Sequence, residues 1–251
     1  MRSKSCFVAL FSLFVLLSLS AQEPAGPRTV VVLLDLSLSC ANAGLFPYYR
    51  EDLNKVLKGV GFGDTIVVAN VTGDSSAELE LPVNETLPAF EATTDNPLVL
   101  RGMQERAQAA MGEQIKHIEQ HVDALLQTKQ RIETTDLFGG MELAARIFRN
   151  YPNPKRILIV MSDMQQDAEG FDFARLTLSD KAITALLKRL GTEGRLPDLR
   201  GTKVLVTCAR PPHGDLSRYR AIRSFWTAYF RACKGVLDPA AYGAALIRFV
   251  D

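Results

Sequence analysis

Short, wholly apolar runs that end in a carboxylate constrain this chain most. Val30-Val31-Val32-Leu33-Leu34 is five consecutive apolar residues, three of them β-branched, and Asp35 follows at once. A strand that faces solvent on one side alternates apolar and polar residues, so a run without alternation predicts a strand buried on both faces, here over Thr29 to Leu34. Arg156 to Met161 (RILIVM), which leads into Ser162-Asp163, repeats the pattern, and Thr65 to Val71 (TIVVANV) and Lys203 to Cys208 read as further strands. Between them lie stretches with three- and four-residue apolar spacing: Phe46 to Leu57, Met141 to Phe148, Asp180 to Leu190 and Leu216 to Ala232. Alternating buried strands and helices predict an α/β chain, a doubly wound, mostly parallel central sheet with helices on both faces, in the Rossmann-like manner. Ala77 to Val83 alternates apolar and polar and fits one antiparallel edge strand ending at Pro82.

At the end of the first strand stands Asp35-Leu36-Ser37-Leu38-Ser39. Side chains two apart on an extended chain point the same way, so Asp35, Ser37 and Ser39 can converge their oxygens while Leu36 and Leu38 face inward. One carboxylate and two hydroxyls suit a hard cation such as Mg²⁺ better than Zn²⁺, which prefers His and Cys. By itself the pattern is equally that of a Ser-rich loop capping a following helix. The run Arg156 to Met161 ends in Ser162-Asp163, a second carboxylate at a strand's end, and Thr135 sits on a loop before a helix. Ligand sites in such sheets lie outside the carboxyl ends of the strands, where strand order reverses. Asp35, Ser37, Ser39, Thr135 and Asp163 are therefore the candidate metal ligands.

These segments, in this order, resemble a von Willebrand factor A-type domain with its metal-ion-dependent adhesion site. That family places Asp-x-Ser-x-Ser after the first strand, a Thr in a loop before a helix, and an Asp after the fourth strand. The resemblance covers essentially all of residues 29–251, with Gly63-Asp64-Thr65 and Thr135-Asp136-Leu137 through Gly139-Gly140-Met141 as supporting matches. It implies Mg²⁺ or Mn²⁺ held by the Ser and Thr hydroxyls, with Asp35 and Asp163 acting directly or through water. The resemblance further implies that a carboxylate from a partner protein completes the coordination. Three departures stand out. Met164 follows Asp163 where the family most often has Gly, and Asp167, four residues on, offers another oxygen. No final helix follows the last apolar segment, Ala244 to Val250. The helix from Pro97 to Lys129 exceeds the usual connection, with Leu100, Met103, Ala107, Ala110, Met111, Ile115, Ile118, Val122, Leu125 and Leu126 forming one buried stripe.

The start of the chain reads as a targeting segment. Arg2 and Lys4 precede the apolar run Cys6 to Leu17, and small residues lead into polar Gln22. That is the pattern of a secretory signal peptide over residues 1–21, too short to span a bilayer, followed by a linker over residues 22–28. Removing it takes two of the 29 basic residues and none of the 28 acidic ones, so the mature chain is near neutral. Without a basic block or aromatic-basic interleaving, nucleic acid is not an expected partner. The expectation is an exported protein, periplasmic or secreted, with no stable membrane insertion. Cys40, Cys208 and Cys233 remain, an odd number that leaves room for one disulfide of unassigned pairing.

Other motifs carry less. The glycines of Gly59 to Asp64 precede a strand instead of joining a strand to a helix, so they serve a turn and not a dinucleotide. His117 and His121 stand four apart, yet the intervening Glu119 falls on another helical face and no third ligand is evident, so a solvated face is the reading. Asn70 and Asn84 match glycosylation acceptors by chance. An Asp after a first strand also suits a Mg²⁺-dependent phosphatase with Asp35 as nucleophile, but Ser37 replaces the second carboxylate such enzymes usually need. No Gly-x-Ser-x-Gly elbow appears, and His213 has no assigned nucleophile. The expectation is a non-enzymatic module that binds an acidic residue of a partner protein through Mg²⁺ or Mn²⁺. The alternative is a metal-free scaffolding domain of the same fold.

Overall fold

A computed structural model describes residues 26–249 apart from 79, 129–131, 152, 169, 212–213 and 248. The signal-peptide reading, His213 and Lys129 lie outside the described residues. Six strands form the main sheet in the order β3-β2-β1-β4-β7-β8. These are β1 (Arg28–Asp35), β2 (Thr65–Val71), β3 (Val83–Thr86), β4 (Lys155–Met161), β7 (Thr202–Thr207) and β8 (Val236–Tyr242). All neighbours are parallel except β2 and β3. The strand order runs outward in both directions from β1 and β4, so the topological switch point lies between them. The chain is thus a doubly wound, Rossmann-like α/β fold with one antiparallel edge strand.

Residue parity on β1 sorts the two faces. Val30, Val32 and Leu34 pack with α2 (Phe46–Gly59) and the C-terminal part of α3 (Pro97–Gln127). Val31 and Leu33 pack on the other side with α4 (Leu137–Asn150), α5 (Asp180–Thr192) and α6 (Leu216–Ala232). This second layer holds an aromatic cluster in which Phe138 meets Phe171, Trp226 and Tyr229 at 5.3, 5.4 and 5.3 Å between centroids. Burying each such ring is worth about 1.5–3 kcal/mol before any ring-ring term. On the first face, buried Asp52 of α2 ties down the chain after β8. It accepts from Leu246 N at 2.9 Å, from Lys55 Nζ at 2.8 Å and from Thr207 Oγ1.

Several sequence expectations need correction. The antiparallel edge strand is Val83–Thr86, not Ala77 to Val83; Pro82 lacks an N–H, so the described pairing with β2 begins after it. The last strand is β8, a mostly exposed edge strand without the apolar run that sequence reading looks for. Leu246 and Phe249, expected in a final apolar segment, instead plug the first face. α4 begins at Leu137, four residues before Met141, because the Asp136 side chain accepts from Gly139 N at 3.0 Å and caps it. Leu38 is 37% exposed and does not face inward, because the chain stays extended only through Ser37 and a short helix, α1 (Leu38–Asn42), starts at Leu38. A small hairpin, β5 (Asp167–Ala168) with β6 (Phe171–Asp172), was not foreseen.

The stripe along α3 is buried only at Ile118, Val122 and Leu126, while Leu98 is 82% exposed. A helix of 31 residues is roughly 46 Å long, whereas the seven residues of β2 span roughly 23 Å, so its first half overhangs the sheet. All three described thiols are free and buried, and Cys233 lies on the opposite face of the sheet from Cys40 and Cys208. His117 and His121 are both exposed on α3. Asn70 is buried within β2, so it offers no glycosylation acceptor on the folded surface.

Candidate metal centre

The carboxyl ends of β1 and β4 bring the first two segments together at the switch point. Asp35, the last residue of β1, is fully buried. Its Oδ1 accepts from Ser37 N at 3.1 Å and its Oδ2 from Ser162 Oγ at 2.6 Å. Ser37 occupies the N-cap position of α1 but makes no side-chain cap. Its hydroxyl lies 3.0 Å from that of Ser39. The helix-capping alternative for these serines is therefore not what this geometry shows. Asp163 follows β4, and the nearest oxygens of Asp35 and Asp163 and the Cys40 sulfur all lie within 4.8 Å of one another.

Thr135 reaches this edge through backbone pairing. Leu38 N donates to Ile132 O at 3.0 Å, a parallel bridge between residues 37 and 132, and Asp136 N donates to Thr72 O beyond β2 at 2.8 Å. Thr135 N donates to the Asp167 carboxylate, and Asp167 N returns a bond to Thr135 O at 3.2 Å. The loop carrying Thr135 thus lies at the same end of the sheet as Asp35 and Asp163.

Met164 explains how a residue other than Gly is tolerated after Asp163. It adopts φ 65°, the left-handed conformation that Gly takes freely, with its side chain fully buried. Its N–H bonds Ser162 Oγ at 2.8 Å and its carbonyl accepts from Trp226 Nε1 at 2.8 Å. Burial and two hydrogen bonds hold the turn against a backbone cost on the order of 1–2 kcal/mol. Replacing Trp226 by Phe leaves the Met164 carbonyl buried and unpaired. The expected cost is about 1–3 kcal/mol in urea denaturation, and an unchanged midpoint would show that the indole bond does not hold this turn.

The electrostatics are those of crowded acids. Burial raises the Asp35 carboxyl above its ordinary range, against the hydrogen bonds from Ser162 and Ser37. Burial, then the charge of Asp35, pushes Asp163 up to about 7. Burial also raises Asp167, which feels Asp35 as well. The Cys40 thiol is pushed well above its ordinary value by burial and by both acids, so it stays protonated and makes a poor ligand.

Sequence reasoning missed two contributors: Ser162 orients Asp35, and buried Gln166 accepts from Leu137 N at 2.7 Å, covering the start of α4. Asp167, which the sequence offers as a further oxygen, pairs with the backbone of Thr135. All three lie within six residues of the strand-ending Asp163, which was the available signal.

No family model matches the chain, and no curated protein matches its sequence. Among solved structures, a variant of the PilB minor pilin from Streptococcus sanguinis superposes with a TM-score of 0.51 at 10% identity, covering 87% of this chain and 57% of that one. A von Willebrand factor type A protein from Catenulispora acidiphila matches with a TM-score of 0.41 at 10% identity over 83% of this chain and 42% of that one. BatB from Bacteroides thetaiotaomicron matches with a TM-score of 0.39 at 12% identity over 88% of this chain and 91% of that one. The chain shares its fold with the PilB minor pilin variant. At these identities the likeness concerns the fold alone, and the chain spans under half the length of the Catenulispora protein. Among the described residues no helix is long and apolar enough to cross a membrane.

Proposed function

We propose that this chain is a von Willebrand factor A-type domain serving as an exported, non-enzymatic binding module that takes up Mg²⁺ or Mn²⁺ and, through it, an acidic side chain of a partner protein. The observation that carries the reading is the pair of hydroxyls, Ser37 and Ser39, 3.0 Å apart beside the buried, closely spaced acids Asp35 and Asp163. Octahedral Mg²⁺ with ligands at 2.0–2.1 Å places adjacent oxygens about 2.9 Å apart, so the donor set and its spacing fit a hard divalent ion. Ser37, Ser39 and Thr135 would supply neutral hydroxyls, while Asp35 and Asp163 balance charge and orient them. When bound, such an ion offers an open, electron-poor position to an incoming carboxylate. Export rests on the apolar run Cys6 to Leu17 behind Arg2 and Lys4.

The phosphatase alternative is disfavoured by the state of Asp35. Its carboxylate is wholly buried and both oxygens already accept hydrogen bonds, so it is poorly placed to attack a phosphoryl group. Calorimetric titration with Mg²⁺ tests the metal reading. Asp35→Asn and Ser39→Ala are each expected to weaken binding by about tenfold or more. Equal heats from both variants and the wild type would remove this site and leave the metal-free scaffold.

A further inference from the structure

Beside the acids lies a cleft of ≈ 500 Å³ whose walls include Ser39, Asp163 and Arg210. β7 ends at Thr207, and Cys208 then takes φ 66°, a left-handed turn that sends Arg210 out at the same edge of the sheet as Asp35 and Asp163. The guanidinium stacks on Tyr48 of α2, 3.8 Å from the ring centroid. Among the described residues it is matched with no carboxylate. An arginine held on an aromatic face keeps its edge donors available and loses little freedom on binding an anion. Asn42 and Gln165 add amide groups to the same cleft.

We infer that Arg210, braced by Tyr48, forms a second anion subsite next to the metal centre, so that the partner is a protein segment presenting two acidic side chains, one to the metal and one to the guanidinium. The inference rests on the metal reading for the first carboxylate only. Alternate side chains of an extended segment point the same way, so an Asp-Gly-Asp sequence offers both carboxylates to one surface. Exposed Leu38 and Tyr48, at 37% and 39%, give the rim apolar area against which such a segment can pack.

The test uses the full chain with Mg²⁺ and two end-capped peptides, Gly-Asp-Gly-Asp-Gly and Gly-Asp-Gly-Asn-Gly, with binding followed by NMR chemical shifts. Wild-type protein is expected to bind the diacid roughly tenfold more tightly than the mono-acid. Arg210→Gln is expected to take up Mg²⁺ as the wild type does and to lose that preference. No preference in the wild type, or an equal preference in Arg210→Gln, overturns the proposal. If the wild type takes up no Mg²⁺, the metal reading fails by itself. The same peptides in chelator then decide the subsite: a diacid preference present in the wild type and absent from Arg210→Gln upholds it, and any other result overturns it.

Discussion

Between pH 5 and pH 8 the metal-free protein is expected to lose about 2–3 kcal/mol of stability relative to its Asp163→Asn variant. The Asp163 carboxyl sits at about 7 in the folded chain, against an ordinary value of 3.8, because it is buried beside Asp35. The folded state therefore holds the proton more tightly than the unfolded one. The resulting stabilisation is complete below pH 3.8 and is lost as pH rises through about 7. The two acids act as a pair, and the amide removes both the titration at position 163 and the second charge that Asp35 faces. A bound divalent cation compensates both charges. The same sweep in excess Mg²⁺ is expected to be flat, and Mg²⁺ affinity should fall about tenfold per unit below pH 7. Urea denaturation across this range, in chelator and in Mg²⁺, reads both effects. Parallel stability curves for the wild type and Asp163→Asn would show that the acids are not crowded as described.

Gly139→Ala should be the most damaging small substitution near the centre. A Cβ there would overlap the Asp136 carboxylate and come within 2.7 Å of Ser76 N. Asp136 cannot yield easily, since it is wholly buried, caps α4 through Gly139 N and pairs with Arg195 at 3.1 Å. Nor can the Ser76 backbone move without its turn, which Asp74 stabilises by accepting from Ser76 Oγ at 3.0 Å. Relief would come by shifting the first turn of α4, and with it Thr135 one residue before the cap. The expected cost is about 3 kcal/mol or more, with weakened Mg²⁺ binding. Gly140→Ala provides the comparison. Its added Cβ would meet only Leu33 Cδ1 at 3.4 Å and Val71 Cγ2 at 3.6 Å, so it should cost much less. Equal effects of the two changes would show that the α4 cap does not depend on the absence of a side chain at position 139.

The parts of the fold and the candidate centre legible in the sequence share one property: each is signalled by its own residues. A run such as TIVVANV announces a strand covered on both faces whatever surrounds it, and β2 begins and ends where that run does. Asp35-x-Ser37-x-Ser39 announces oxygens at the end of such a strand. Other elements carry no local signal of that kind. β8 is an exposed edge with Pro239 inside it, and α4 starts where a buried Asp finds the N–H of Gly139, not where apolar periodicity begins.

From its sequence alone, this protein's alternation of buried strands and amphipathic helices, and the carboxylate ending each of two central strands, were already determined, because periodicity and composition act over a few residues. Only the tertiary structure decided which half of α3 is covered, how Met164 stands in for a glycine, and that Arg210 shares a cleft with Ser39 and Asp163. Those outcomes depend on the length of one element relative to its neighbour, on a carbonyl meeting Trp226, and on loops converging at one edge of a sheet. Each is a relation between residues far apart in the chain, and no local pattern encodes it.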